Sequence, residues 1–264
     1  MTWREAASET FVARFDERDA PDAEHVLHQL EGLRTRLEAR FDGRVGELSV
    51  VLHPTEAQLD AAAPLLPVLR RMTVPAGRRY LVGWVGEQEL HVLAPRALAR
   101  RASNVEGSLE TLMLAPGALL GRRVVAASNP GLPPPWGPRA WARYQRWAWL
   151  IEGAGQFFSG QTHHARPLVG RRLREGGPPA FPPGRADASL LGGSVFDLLA
   201  REEGEAAAIR LACAPLPVGP KRALEVAFHS RPLRHTEGTW RAHLTRMAEG
   251  RLAPPPAERV RARA

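Results

Sequence analysis

Between Arg139 and Ser159 the chain reads RAWARYQRWAWLIEGAGQFFS, and this stretch decides the class of fold. It is the most aromatic segment of the sequence, and its apolar residues recur at helical spacing. Trp141, Tyr144, Ala148, Ile151, Gly155 and Phe158 fall along one helix face. Gln145, Trp149, Glu152 and Gln156 fall along another, which sets one carboxylate between aromatic and amide groups. Gly160 follows where a glycine commonly closes a helix.

Working outward, residues 104–114 and 116–127 also read as helix. Pro116 separates them, because it has no N–H to give in a helix interior and suits the first position of the second piece. The first hundred residues differ in kind. Residues 8–15 alternate polar and apolar as a strand, with Phe11 and Phe15 on one face. Pro21 and Asp22 open a helix over 21–40, where Val26, Leu30, Leu33 and Leu37 repeat at three to four residues. Gly43 and Gly46 mark its exit. The run Leu48-Ser49-Val50-Val51-Leu52 has the character of a buried strand. A helix over 55–72 follows with Thr55 as its N-cap. Strands over 79–85 and 89–94 are joined by Gly86-Glu87 as a hairpin.

The organisation read from this is α+β: an N-terminal α/β lobe over 1–102 and a helical C-terminal lobe over 103–250. Proline-rich loops interrupt the helical lobe at 130–138, 178–183 and 215–220. Residues 251–264, rich in Pro and Arg, are expected to form a flexible tail.

Composition bounds the function. The 264 residues carry 36 Lys and Arg against 28 Asp and Glu, a formal net charge of +8. Only Lys221 is a lysine, and such a bias toward Arg, with 24 Pro, reads as codon usage rather than as an evolved phosphate-binding surface. The Arg pairs are spread along the chain rather than gathered in one tract, so nucleic acid is not the expected partner. The single Cys213 excludes an intrachain disulfide and cysteine-rich zinc sites, and its apolar flanks suggest a buried thiol. The start of the chain lacks the apolar core of a signal peptide, and no stretch approaches the roughly 18 apolar residues of a membrane span. A cytoplasmic protein with no membrane partner is expected.

Trp149-Leu150-Ile151-Glu152-Gly153-Ala154, followed by Phe157-Phe158-Ser159-Gly160, resembles the W-L-x-E-G-x-A-x-Y-x-x-G stretch of peptidase MA-like proteins, in the gluzincin group of zinc metallopeptidases. Three further segments are similar to that family in the right order. They are Phe11–Phe41 with 48–54, then Gly192-Gly193-Ser194-Val195-Phe196-Asp197-Leu198-Leu199, then Ala227-Phe228 with Trp240-Arg241-Ala242-His243-Leu244. The resemblance implies a zincin-like fold in which an N-terminal sheet with flanking helices packs on a helical lobe, leaving a cleft at the join. It places Glu152 where the family has its third zinc ligand, and Ser194 at a helix start, as a cap.

The chain departs from the family at the metal. None of its nine histidines has the H-E-x-x-H or H-x-x-E-H spacing that brings two imidazoles onto one zinc. The helix expected to carry them has no His, and its centre reads Leu119-Leu120-Gly121-Arg122-Arg123. The general-base Glu is missing too. The expectation is a pseudoenzyme without metal or other cofactor, keeping the cleft for a peptide, a partner protein or a small ligand. The cleft candidates are Glu152, Trp149, Gln156, Gln145, Arg122, Arg123, His163 and His164, with Arg122 or Arg123 paired to Glu152 in the metal's place. Two alternatives stand beside it. One is a hydrolase with a rearranged metal site using Glu152 with His163 or His164; the other is a basic, nucleic-acid-associated protein.

Overall fold

The computed structural model describes residues 2–41, 46–213 and 219–252. It is an α+β structure, with five strands in the N-terminal part and helices through the rest. The strands are β1 (Trp3–Ala7), β2 (Phe11–Asp16), β3 (Leu48–His53), β4 (Gly83–Val85) and β5 (Glu89–Leu93). They form one mixed sheet in the order β1-β2-β3-β5-β4. β2, β3 and β5 run parallel, and each edge strand is antiparallel to its neighbour. The crossover from β2 to β3 is α1 (Ala20–Glu38), whose Val26, Leu30, Leu33 and Leu37 are buried as the spacing required. Between β3 and β4 come α2 (Glu56–Ala62), α3 (Leu66–Met72) and α4 (Pro75–Arg78). Thr55 caps α2, its hydroxyl accepting from the Gln58 N–H.

Three local readings are corrected. β1 escaped the sequence because it is an exposed edge strand with no buried face to leave a pattern. The helix expected over 55–72 breaks at Ala63, whose backbone leaves helical geometry before Pro64, and restarts with Pro67 in the first turn of α3. The strand expected over 8–15 is β2 and starts only at Phe11, because the Ser8 hydroxyl and N–H both bond the Phe11 carbonyl in a turn.

The remaining helices are α5 (Pro95–Arg101), α6 (Ser108–Met113), α7 (Ala115–Ser128), α8 (Pro138–Phe158), α9 (Arg166–Arg174), α10 (Arg185–Glu203), α11 (Glu205–Ala212), α12 (Pro220–Ala227) and α13 (Leu233–Ala248). α6 and α7 divide next to Pro116, and α8 ends before Gly160, which adopts φ +84°. α7 lies on the sheet so closely that a Cβ on Gly83 would come within 2.6 Å of the Leu119 side chain.

α8 is held between α7 and α10 by glycines. A Cβ on Gly155 would meet the Ala118 carbonyl at 2.5 Å, and one on Gly192 would meet the Trp149 carbonyl at 2.6 Å. A Cβ on Gly153 would overlap the backbone of Gly192. These residues lack side chains because the backbones themselves touch. Gly192-Gly193-Ser194 is therefore the middle of α10, and Ser194 is not a helix cap. Its hydroxyl donates to the Leu191 carbonyl at 2.6 Å and accepts from the Trp240 indole at 2.8 Å. Nearby, His243 on α13 lies 2.9 Å from the Asp197 carboxylate, which also takes a 2.7 Å bond from Arg201. The two C-terminal segments singled out in the sequence thus pack on each other. Trp147, Trp240, Phe196 and Phe228 are fully buried, each contributing about 1.5–3 kcal/mol relative to exposure.

Cys213 is half-buried at the end of α11, more exposed than its apolar flanks suggested. The tail expected over 251–264 lies outside the described residues from 253 onward, and so does Gly43. Among the described residues, no helix is long and apolar enough to cross a membrane.

Candidate functional site

Glu152 occupies the middle of α8, where the helix faces α7. The close approach of Gly121 to Gly155 (a Cβ on Gly121 would stand 3.0 Å from the Gly155 Cα) brings the next residue of α7, Arg122, to the carboxylate. The Arg122 guanidinium lies 2.5 Å from Glu152 Oε2, while the Tyr144 hydroxyl donates to Oε1 at 2.9 Å. The side chains are 15% and 3% exposed for Arg122 and Glu152, so the pair is withdrawn from water. Burial first, and then the charge on Glu152, push the Tyr144 phenol well above its ordinary value, which fixes it as a hydrogen-bond donor.

An aromatic lid covers this centre. Trp136 stacks on Trp84 of β4 at 4.3 Å between centroids and packs edge-on to Tyr144 at 5.3 Å. Its indole N–H donates to the Val85 carbonyl at 2.8 Å, so the loop after α7 is tied to the edge strand. The space left beside the ion pair is small. A void of about 20 Å³ lies toward the lid and another of about 20 Å³ lies toward α10, each the size of a single water. Arg122 Nε, Thr162 Oγ1 and Ser189 Oγ border the second and have no hydrogen-bond partner among the described residues.

The other candidates do not converge on Glu152. Arg123 turns away and donates from Nε to the Glu87 carbonyl at 3.1 Å. Gln156 bridges α8 to α10, donating to the Ser189 carbonyl at 2.5 Å and accepting from the Gly193 N–H at 2.9 Å. His163 is exposed and His164 half-buried on the short 3-10 turn after α8. Among the described residues no three His, Cys, Asp or Glu side chains gather as a metal-holding group, and so Glu152, His163 and His164 do not form one.

Gln145 and Trp149 line a different space. They form the α8 wall of an open groove of about 650 Å³, completed by the loop before α10 and the start of α12. Sequence spacing put Gln145, Trp149, Glu152 and Gln156 on one helix face. The three neighbours of α8 divide that face between a groove, an ion pair and a helix contact. Arg146 and Arg185, which also line the groove, were missed by sequence reasoning, as was the role of Lys221 and Arg222 at its rim. Their positions are too far apart in the chain to read as one cluster.

A second groove, of about 480 Å³, opens between α4 and α9, at the join of the N-terminal and helical parts, with Arg79, Arg166, Arg171 and Arg174 on its walls. It also carries Glu106, and Arg171 is engaged by Glu175 at 2.7 Å.

The chain matches no protein-family model, and neither a curated protein nor a solved structure is significantly similar to it.

Proposed function

We propose that this chain is a non-catalytic, zincin-like binding protein in which an arginine stands where the gluzincins hold zinc. The observation that carries the reading is the Arg122–Glu152 pair. The glutamate that matches the family's third ligand needs a cation, and a guanidinium from the expected metal helix supplies it at 2.5 Å. A guanidinium has donors but no vacant coordination position. It can neither polarise a carbonyl as a Lewis acid nor lower the pKa of a bound water. The residues present do not fit a zinc ion, because α7 brings a cation and apolar groups where two imidazoles would be needed. The zincin-like form of the α+β fold is supported by the same elements. A helix packed against the sheet faces the glutamate helix, and the segments singled out from sequence follow in order around them.

With the metal position filled, binding belongs to open surface. The groove lined by Gln145 and Trp149 is the better candidate, since it lies on the glutamate helix itself and has the volume of a small-molecule or peptide site. Metal analysis of protein purified without chelators, run beside a general peptidase assay, tests the reading. The expected result is far less than one zinc per chain and no hydrolysis. Stoichiometric zinc that is lost on Glu152→Gln would overturn it.

A further inference from the structure

We infer that the groove between α8, α10 and α12 is a site for a small polyanion bearing phosphate or carboxylate groups. This deepens the reading of the chain as a binding protein and rests on it. Arg146, Arg185, Lys221 and Arg222 all line the groove, and among the described residues no carboxylate does; Arg185 also donates from Nη1 to the Met72 sulfur at 2.5 Å. Arg146 and Lys221 form no ion pair among the described residues, and Arg222 has Glu225 at 3.2 Å on its own helix. The uncharged residues 214–218, which precede this rim in the chain, bring no balancing charge.

The placement of these cations is electrostatically inverted. Helix N-termini carry partial positive charge from unpaired N–H groups and favour anions. Here the first turn of α12 contains no acid, and Lys221 and Arg222 sit within it. Gly219, the N-cap of that helix, lies under the Arg146 guanidinium, whose Nη2 stands 3.1 Å from where a Cβ would be. Arg185 is the first residue of α10, whose N-cap is Gly184. Neither glycine has a side chain with which to cap its helix. Two helix N-termini and four cations thus border one space. Asp187 in the first turn of α10 is taken by Arg172, and Arg222 has Glu225, so Arg146 and Lys221 are the cations left for an incoming anion.

The walls have a matching apolar part. Trp149 and Phe181 line the groove, and the Trp149 indole N–H is buried without a hydrogen-bond acceptor among the described residues. Cations gathered at one rim suit a compact anion better than a long polymer, which would need a continuous basic track.

Isothermal titration of the full chain at low ionic strength tests the inference, with pyrophosphate in one arm and citrate in the other. Saturable one-to-one binding that weakens with added salt is expected. Pyrophosphate alone would mark a phosphate site, citrate alone a carboxylate site, and both a general polyanion site. The Arg146→Ala/Lys221→Ala variant, checked for a native melting curve, should weaken binding about tenfold for each cation removed. Absence of saturable binding in both arms overturns the inference, as does binding that the double variant leaves intact. Zinc content and peptidase activity are read on separate samples, so failure of the polyanion site and failure of the non-catalytic reading remain distinguishable.

Discussion

The two sides of α8 treat charge in opposite ways. Toward α7, a cation and an anion meet at 2.5 Å, a tyrosine completes the carboxylate, and glycines remove the space around them. Toward α10 and α12, four cations border a groove of about 650 Å³ with no acid among the described residues of its walls. Both sides are built from one helix, so the contrast does not come from different folds. It separates what a protein settles internally from what it leaves for a ligand. A compensated, desolvated pair fixes the packing of two helices, whereas exposed cations such as Arg146 and Lys221, without an ion pair among the described residues, contribute little to folding.

Removing the anion from the compensated side should have the largest effect. Glu152→Ala strands a largely buried guanidinium and frees the Tyr144 hydroxyl. The expected loss is about 3–5 kcal/mol, read from the urea midpoint. A loss below about 1 kcal/mol would break the comparison, because Arg122 would then have found water and the closed side would not depend on the pair.

Acid should act next, and elsewhere. On the sheet, His53 Nε2 and His91 Nδ1 stand 3.1 Å apart. Burial first, and the charge of His91 second, push the His53 imidazole down to about 4. The unfolded chain takes up that proton near pH 6.5 while the folded chain refuses it. The contribution of neutral His53 is therefore intact above about pH 6.5 and drains away as pH falls toward 4, by roughly 3 kcal/mol. Asp197 behaves in the opposite sense. Burial alone would raise it, but the bonds from His243 and Arg201 outweigh that and hold it below its ordinary 3.8. Its contribution persists through the window in which His53 fails. Urea unfolding at about pH 7 and about pH 4.5 should show the loss, and His53→Phe should flatten it. An equal acid loss in that variant would place the sensitive group elsewhere.

The smallest effect belongs to the open side. Arg146→Ala/Lys221→Ala should leave stability within about 0.5 kcal/mol in thermal melts, since these side chains are exposed and form no ion pair among the described residues. A substantial loss would mean that the groove cations hold the fold together, and the contrast between the two sides would fail.

Much of the helical frame was legible. The spacing of Val26, Leu30, Leu33 and Leu37 placed α1, Pro116 divided α6 from α7, and Gly160 closed α8, because each signal is local. The meeting of Arg122 with Glu152 could be anticipated from the two helices that carry them. What was illegible depended on tertiary contact. Gly192-Gly193 read as a helix start, though Gly192 serves a backbone contact with Gly153, and Gly193 makes room for the Thr162 and Gln156 side chains, which only packing reveals. β1 left no trace because neither of its faces is buried. The groove was hidden for a third reason: Arg146, Arg185 and Lys221 come from three helices and become neighbours only after folding.

The glycine contact between α8 and α10 has a mechanical consequence. Two helices whose backbones touch cannot slide without breaking a fit that has no side chains to yield, so they behave as one stiff beam. Trp149 and Arg185 ride on that beam and keep a fixed spacing. The start of α12, bearing Lys221 and Arg222, is reached from that beam through α11, on which α12 packs. The groove therefore has one wall whose spacing a ligand cannot alter.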